Sequence, residues 1–232
     1  MKKLSKRQIE KLEDKIFKKA TDKKKIRKYY RDTYEDILDE LARLVFDTTL
    51  VLLFSKKSIE PILDTLAEQF EKELRNRLEE VIVTTSMALT KAGLEKEVID
   101  TIINYNFHGT NFSVRIWKDT ARLQRRIYHA VGNMLAQDEF SSSRLKEALM
   151  KEFNTSYYNA NRLVRTEVSR AFNQATLMTY KRNGVEKVRI LVKEDERLCS
   201  TCSTYIGKVW EIEKVPQLPE HPNCRCCYMA VI

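Results

Sequence analysis

The chain has 232 residues, 43% of them hydrophobic and 32% charged, with a formal net charge of +9, which suffices for one large or two small domains and excludes global disorder. No stretch approaches the roughly 18 apolar residues of a membrane span (the best, 41–54, is interrupted by Arg43 and Asp47), and no apolar segment of a signal peptide follows the lysine-rich start. Without export a disulfide framework is disfavoured, so the five cysteines, an odd number, are expected to bind metal.

The charge is concentrated at one end. Residues 1–31 hold fourteen Lys/Arg against four acids, and the rest of the chain is close to neutral. Leu4, Ile9, Leu12, Ile16 and Phe17 recur at helical spacing there, which predicts a basic amphipathic helix with one face that can dock. Such an arm attracts polyanions through counterion release, without reading sequence. Lys18, Lys19, Lys23, Lys24, Lys25, Arg27 and Lys28 are the candidate nucleic-acid contacts. The same composition also describes a solvated helix that binds nothing, or one that lies on a membrane surface.

Further along, the first 92 residues contain no glycine and only Pro61, so long helices are expected. One is predicted over about 23–54, with Tyr30, Ile37, Leu38, Leu41, Val45 and Leu52 near one stripe. A second is predicted over about 58–92, capped by Ser58, with Pro61 in its first turn and Gly93 at its end. A shorter helix over 94–104 and a connector around Gly109 follow. The next helix is expected to start after Ser113 as N-cap. The Ser141–Ser143 cluster should cap a short helix over 144–153, and another should run from after Thr155 to about Arg182, with Ala160, Val164, Val168, Ala171, Ala175 and Met178 on one face and Gly184 as C-cap. Past Gly184 the period changes to that of strands, in Val188–Val192, Val209–Ile212 and Cys227–Val231.

The first two strands flank the Cys199 loop, and all five cysteines lie between the first strand and the start of the third. Cys199-x-x-Cys202 is followed after eighteen residues by His221-x-x-Cys224, inside His221-Pro222-Asn223-Cys224-Arg225-Cys226-Cys227. Two short paired-ligand loops on a small sheet suit tetrahedral zinc, each loop delivering two donors to one side of the ion; buried thiols or a late disulfide are the alternatives. The candidate metal ligands are Cys199, Cys202, His221, Cys224 and Cys226, one more than a four-coordinate site takes, and either Cys224 or Cys226 can be the fourth. Alternation along an extended segment places Cys227 on the other face. Catalytic zinc is disfavoured: neither the His-x-Glu and Pro-Cys-x-x-Cys of a deaminase nor the His-Glu-x-x-His of a peptidase occurs, and His108 and His129 fit loop or helix-surface roles. The zinc is expected to be structural and the protein not an enzyme, with no small-molecule substrate. Glu167 is read as an ion-pair partner fixing its helix, Trp117 and Trp210 as core anchors, and Asp195 with Arg197 as the turn before the first metal loop, which Arg225 bridges to the last strand.

Several strings together resemble the phage Mu F-like family of minor head (head morphogenesis) proteins: Phe112-Ser113-Val114-Arg115-Ile116-Trp117; Leu163-Val164-Arg165-Thr166-Glu167-Val168-Ser169-Arg170-Ala171-Phe172-Asn173; Asp195-Glu196-Arg197-x-Cys199-x-x-Cys202; Gly207-Lys208-Val209-Trp210; and Leu218-Pro219-Glu220-His221-Pro222-Asn223-Cys224-Arg225-Cys226. They cover roughly 110–232. The resemblance implies a low-copy structural protein of a tailed-phage head, associated with the portal and with capsid or scaffold proteins, and linked to DNA packaging or ejection. It would reside in the virion interior, and in the bacterial host cytoplasm during assembly. The basic arm would then face packaged DNA. The rival reading of the same features is a zinc-ribbon nucleic-acid-binding protein without catalytic activity. The expected fold is mainly α: a basic arm (1–31), a helical hairpin or bundle (32–110), and a Mu F-like domain (111–232) whose zinc-knuckle element (195–232) makes the whole α+β.

Overall fold

A computed structural model of the chain describes residues 4–43, 48–137 and 141–231. It is mainly helical, with one small antiparallel sheet near the end of the chain. The helices are α1 (Lys6–Ala20), α2 (Lys24–Arg43), α3 (Thr48–Thr90), α4 (Lys96–Ile103), α5 (Phe112–Ala136), α6 (Ser142–Arg182) and the single turn α7 (Ser200–Ser203). The strands β1 (Lys187–Leu191), β2 (Val209–Glu211) and β3 (Cys227–Val231) are ordered β2-β1-β3, with Val188 opposite both Trp210 and Ala230. All three fall where alternation placed them. No helix among the described residues is long and apolar enough to cross a membrane.

Helix starts and stops differ from the sequence expectation in four places. The expected 23–54 helix ends at Arg43 among the described residues, with Val45 and the Leu52 side chain outside them, and α3 begins at Thr48. Ser58 therefore caps nothing, and Pro61 lies inside α3 rather than in a first turn. The N-cap of α5 is Asn111, whose side chain accepts from the Val114 amide at 3.0 Å, not Ser113. Ser141 accepts from the Arg144 amide as expected of a cap, but Thr155 breaks nothing: its hydroxyl donates back to the Lys151 carbonyl at 3.0 Å, so α6 runs unbroken for 41 residues. Gly184 does end α6. At φ 71° it takes the left-handed conformation, and the Val185 amide returns to the Tyr180 carbonyl.

The residues cluster into two compact units, each discontinuous in sequence, which interleave pieces of all three sequence segments. One comprises 23–73 and 107–161. There the buried ring of Tyr30 meets Phe70, Phe153 and Tyr157 edge-on, at centroid distances of 6.5, 6.5 and 5.8 Å, and Leu63, Leu66, Phe112, Ile116, Leu123 and Ile127 are buried. Trp117, expected in the core, is 37% exposed, its indole N–H donating to Glu71.

The other unit comprises 1–22, 74–106 and 162–232. It holds α1, the sheet, and a core of Val188, Ile190, Leu218 and Tyr228 shared with three of the cysteines. The start of the basic arm is thus a packed helix: Ser5 and Gln8 form a reciprocal capping box, and Ile9, Ile16 and Ala20 are buried.

Glu13, on the same face of α1, is only 3% exposed. It lies 3.8 Å from the Lys193 ammonium, which is held more closely by Asp14 at 2.7 Å. Burial pushes the Glu13 carboxyl up from 4.5 to about 7, Lys193 opposing and Asp14 adding to the rise. The folded state therefore keeps a proton that the unfolded chain releases near pH 4.5. The associated stability is complete below that pH and is lost as pH rises through about 7, by up to about 3 kcal/mol. Glu13→Gln is expected to flatten the fall in denaturation midpoint between about pH 5 and 8; a variant with the wild-type pH profile would assign that titration to another group.

Candidate metal centre

Two local structures deliver the donors. Cys199 is the N-cap of α7, and its sulfur accepts the Cys202 amide at 3.3 Å, which folds Cys-x-x-Cys into a knuckle. The second knuckle is a turn closed by the Cys224 amide on the His221 carbonyl at 3.1 Å. Pro222 and Asn223 occupy its central positions, and Asn223 has φ 63°. Proline followed by a residue that tolerates positive φ is the requirement of a type II turn, so Pro-Asn is the local cause of the bend.

The knuckles meet. Cys199 Sγ lies 3.2 Å from His221 Nε2, Cys202 Sγ 3.5 Å from the same nitrogen, and Cys202 Sγ 3.8 Å from Cys224 Sγ. A zinc ion about 2.3 Å from sulfur and 2.0–2.1 Å from nitrogen implies tetrahedral edges of about 3.5–3.8 Å, so the donor spacing fits such a cation. Two donor groups share Cys202: Cys199–Cys202–His221 and Cys202–Cys224–Cys226. The five expected ligand residues thus fall in two triads joined through Cys202. Cys227 lies on the other face, buried beside Glu13.

The metal-free electrostatics are those of thiols crowded together. A hydrogen bond from Cys226, against the cost of burial, holds the Cys224 thiol down to about 5, and Cys226 itself is pushed up by that bond and by burial. Burial pushes Cys202 up to about 12, while the Cys202 amide lowers Cys199. His221 is raised: burial works against its charge, but the Pro222 carbonyl and the neighbouring sulfurs outweigh it. A divalent cation would replace these shared protons and relieve the crowding.

The segment between the last two donor cysteines is clamped from outside. Arg225 donates to both carboxylate oxygens of Asp195, at 2.6 and 2.5 Å, while Asp195 Oδ1 also accepts the Arg197 amide at 3.0 Å. This is the bridge expected from the motif, and it draws the Asp195 carboxyl well below the usual carboxylate range, the Arg225 hydrogen bond being the largest cause. The Tyr228 hydroxyl accepts the Leu218 amide at 2.8 Å and donates to Pro216 at 2.6 Å, tying down the loop before His221. Trp210 packs edge-on against Tyr205 and is only partly buried. Glu167 pairs with Arg170 at 2.7 Å, both fully buried. Ser169 and Asn173, which the sequence reading left without a role, reach the backbone of the Cys224–Tyr228 segment.

The nucleic-acid candidates do not join this centre. Lys18 and Lys19 are exposed at the end of α1, Lys19 pairing with Glu80. Lys23, Lys24, Lys25, Arg27 and Lys28 are exposed at the start of α2, Lys25 pairing with Glu73 at 2.7 Å. His108 and His129 are exposed.

No curated protein and no solved structure matches the chain. One family model does, described as Phage Mu protein F like protein, over residues 123–229. The match spans the Leu163–Asn173 string, both knuckles and most of β3, and leaves Phe112–Trp117 outside it. The motifs and the match agree: over residues 123–229 this chain is similar to the Phage Mu protein F-like family.

Proposed function

We propose that the protein is a minor head protein of a tailed phage, acting in head morphogenesis in association with the portal and capsid or scaffold proteins, and that its Cys/His cluster is a structural zinc site. The observation that carries this reading is the family match over the stretch that builds the metal centre. Among the described residues the donor groups contain cysteine and histidine alone, with no carboxylate among them, and a Cys3His set fills zinc's four positions, leaving none for a catalytic water. Cys199, Cys202 and His221 supply three ligands, and Cys224 or Cys226, both grouped with Cys202, supplies the fourth. Affinity purification from a phage-producing lysate tests the assembly role. Recovery of portal or capsid subunits supports it; a free protein bound to host RNA or DNA overturns it.

The second part of the proposal is that the lysine-rich start contacts DNA non-specifically inside the head. The first turn of α2 carries cations and no acid, the arrangement the helix dipole disfavours by a few tenths of a kcal/mol per charge. A polyanion would reverse that cost. Replacing Lys18, Lys23, Arg27 and Lys28 together by Gln is expected to reduce the slope of log K against log salt by about 3–4, if each contacts one phosphate. An unchanged slope sinks the DNA contact without touching the head-assembly reading.

A further inference from the structure

Among the described residues β3 is an edge strand, paired with β1 on one side only. Its other edge is taken up by side chains from α6. Ser169 Oγ donates to the Cys224 carbonyl at 3.4 Å. Asn173 is used twice: Nδ2 donates to the Cys226 carbonyl at 3.1 Å, and Oδ1 accepts the Tyr228 amide at 3.3 Å. Further along the helix, the Ala230 amide lies near the Tyr180 hydroxyl and opposes the rise that burial gives its pKa. All three side chains are 2% exposed or less. They stand on one face of the helix at i, i+4 and i+11 and meet alternate backbone groups of an extended chain, so α6 substitutes for a missing neighbouring strand.

Position along this row matters for the metal. The carbonyls of Cys224 and Cys226 turn toward α6, while both thiols group with Cys202. A segment held by its backbone at both residues cannot rotate to carry either thiol away. We propose that Ser169 and Asn173 are positioning residues of the metal centre, holding the Cys224–Tyr228 backbone in the one orientation that directs the Cys224 and Cys226 thiols at Cys202. The proposal rests on the zinc reading above. It gives the helix string Ser169-Arg170-Ala171-Phe172-Asn173 a direct role in metal affinity. Outer groups that orient a ligand typically change affinity 10- to 100-fold when removed, and Asn173 holds a backbone carbonyl and an amide that burial would otherwise leave unpaired.

The test uses the full chain. Zinc affinity is measured by competition with a chromophoric chelator, and the geometry of the centre by the visible absorption of the cobalt-substituted protein. Asn173→Ala is expected to weaken zinc binding roughly 10- to 100-fold and to shift the cobalt bands. Asn173→Asp keeps the acceptor for the Tyr228 amide and loses the donor to Cys226, so it should fall between the two. Ser169→Ala, which removes only the longer bond, should weaken binding a few-fold and serves if the Asn173 variants do not fold. Thr176→Val is the control, a buried α6 residue whose hydroxyl bonds within its own helix to Phe172; it should leave zinc affinity unchanged whatever it does to stability. Wild-type affinity and spectrum in the Asn173 variants, or an equal loss in Thr176→Val, overturns the positioning role alone. A wild-type protein that takes up no zinc overturns the zinc reading and the positioning role with it.

Discussion

Removing the metal from the purified protein with excess EDTA is expected to release about one equivalent of zinc and to unfold the sheet while leaving most of the helical signal intact. Structural zinc contributes about 10–16 kcal/mol in small zinc-binding folds, as large as the whole stability of a typical domain. Here the loss is concentrated, because Cys202, Cys224 and Cys226 share one core with Val188, Ile190, Leu218 and Tyr228. Without the cation that core must contain crowded, buried, proton-sharing thiols. The unit built on Tyr30, Phe70 and Phe153 has its own apolar interior and should survive. Amide-exchange protection is expected to vanish over 187–191, 209–211 and 227–231 and to persist over 59–73. Cys199→Ser should reproduce the effect. A zinc content near zero in protein prepared without chelator, with the sheet protected regardless, would remove the structural-zinc reading.

The gathering of the cysteines and His221 was legible in the sequence because it is written in short-range spacing. Cys-x-x-Cys and His-x-x-Cys each fold by local turns, and Pro222-Asn223 dictates the second of them. Alternation placed Cys227 opposite the donor face, and the Asp195–Arg225 bridge follows from two residues each adjacent to a metal loop. What supports the site was not legible. Asn173 shares its helix face with Ser169 and Tyr180, opposite the apolar stripe the sequence shows, and its partners are more than fifty residues further on. Nothing near position 173 announces them.

Helix boundaries failed for a related reason. Ser58 and Thr155 have the chemistry of caps, yet each lies inside a helix more than 40 residues long. Side-chain hydroxyls bond equally well to the carbonyl four residues back, as Thr155 does to Lys151, so the residue type alone leaves the choice between cap and interior open. The interleaving of distant segments into two units is likewise set by long-range packing and leaves no local trace.

The other large effect is expected at Glu167, which is not among the donor residues. Its carboxylate and the Arg170 guanidinium are 2.7 Å apart with 1% and 0% side-chain exposure. Arg170 also donates to the Ile102 carbonyl and to Gln174, each at 2.6 Å. Ile102 and Ile103 are the last residues of α4, so the same guanidinium adds a charged donor to the carbonyls of that helix end. Glu167→Ala would leave a buried cation with its neutral partners but no counter-charge, and breaking a buried pair in this way costs about 3–5 kcal/mol. For a chain of this size that corresponds to a fall in Tm of roughly 6–20 °C. Replacing both residues, as Glu167→Leu with Arg170→Met, should recover much of the loss, because no unpaired charge remains. It should not recover all of it, since the α4 carbonyls then lose that donor. A catalytic or ligand-binding Glu167 would behave differently: Glu167→Ala would leave stability near wild type, and the double replacement would be no better than the single. Thermal melts of the two variants with zinc bound separate these outcomes, and a single-variant Tm within about 2 °C of wild type would refute the ion-pair role.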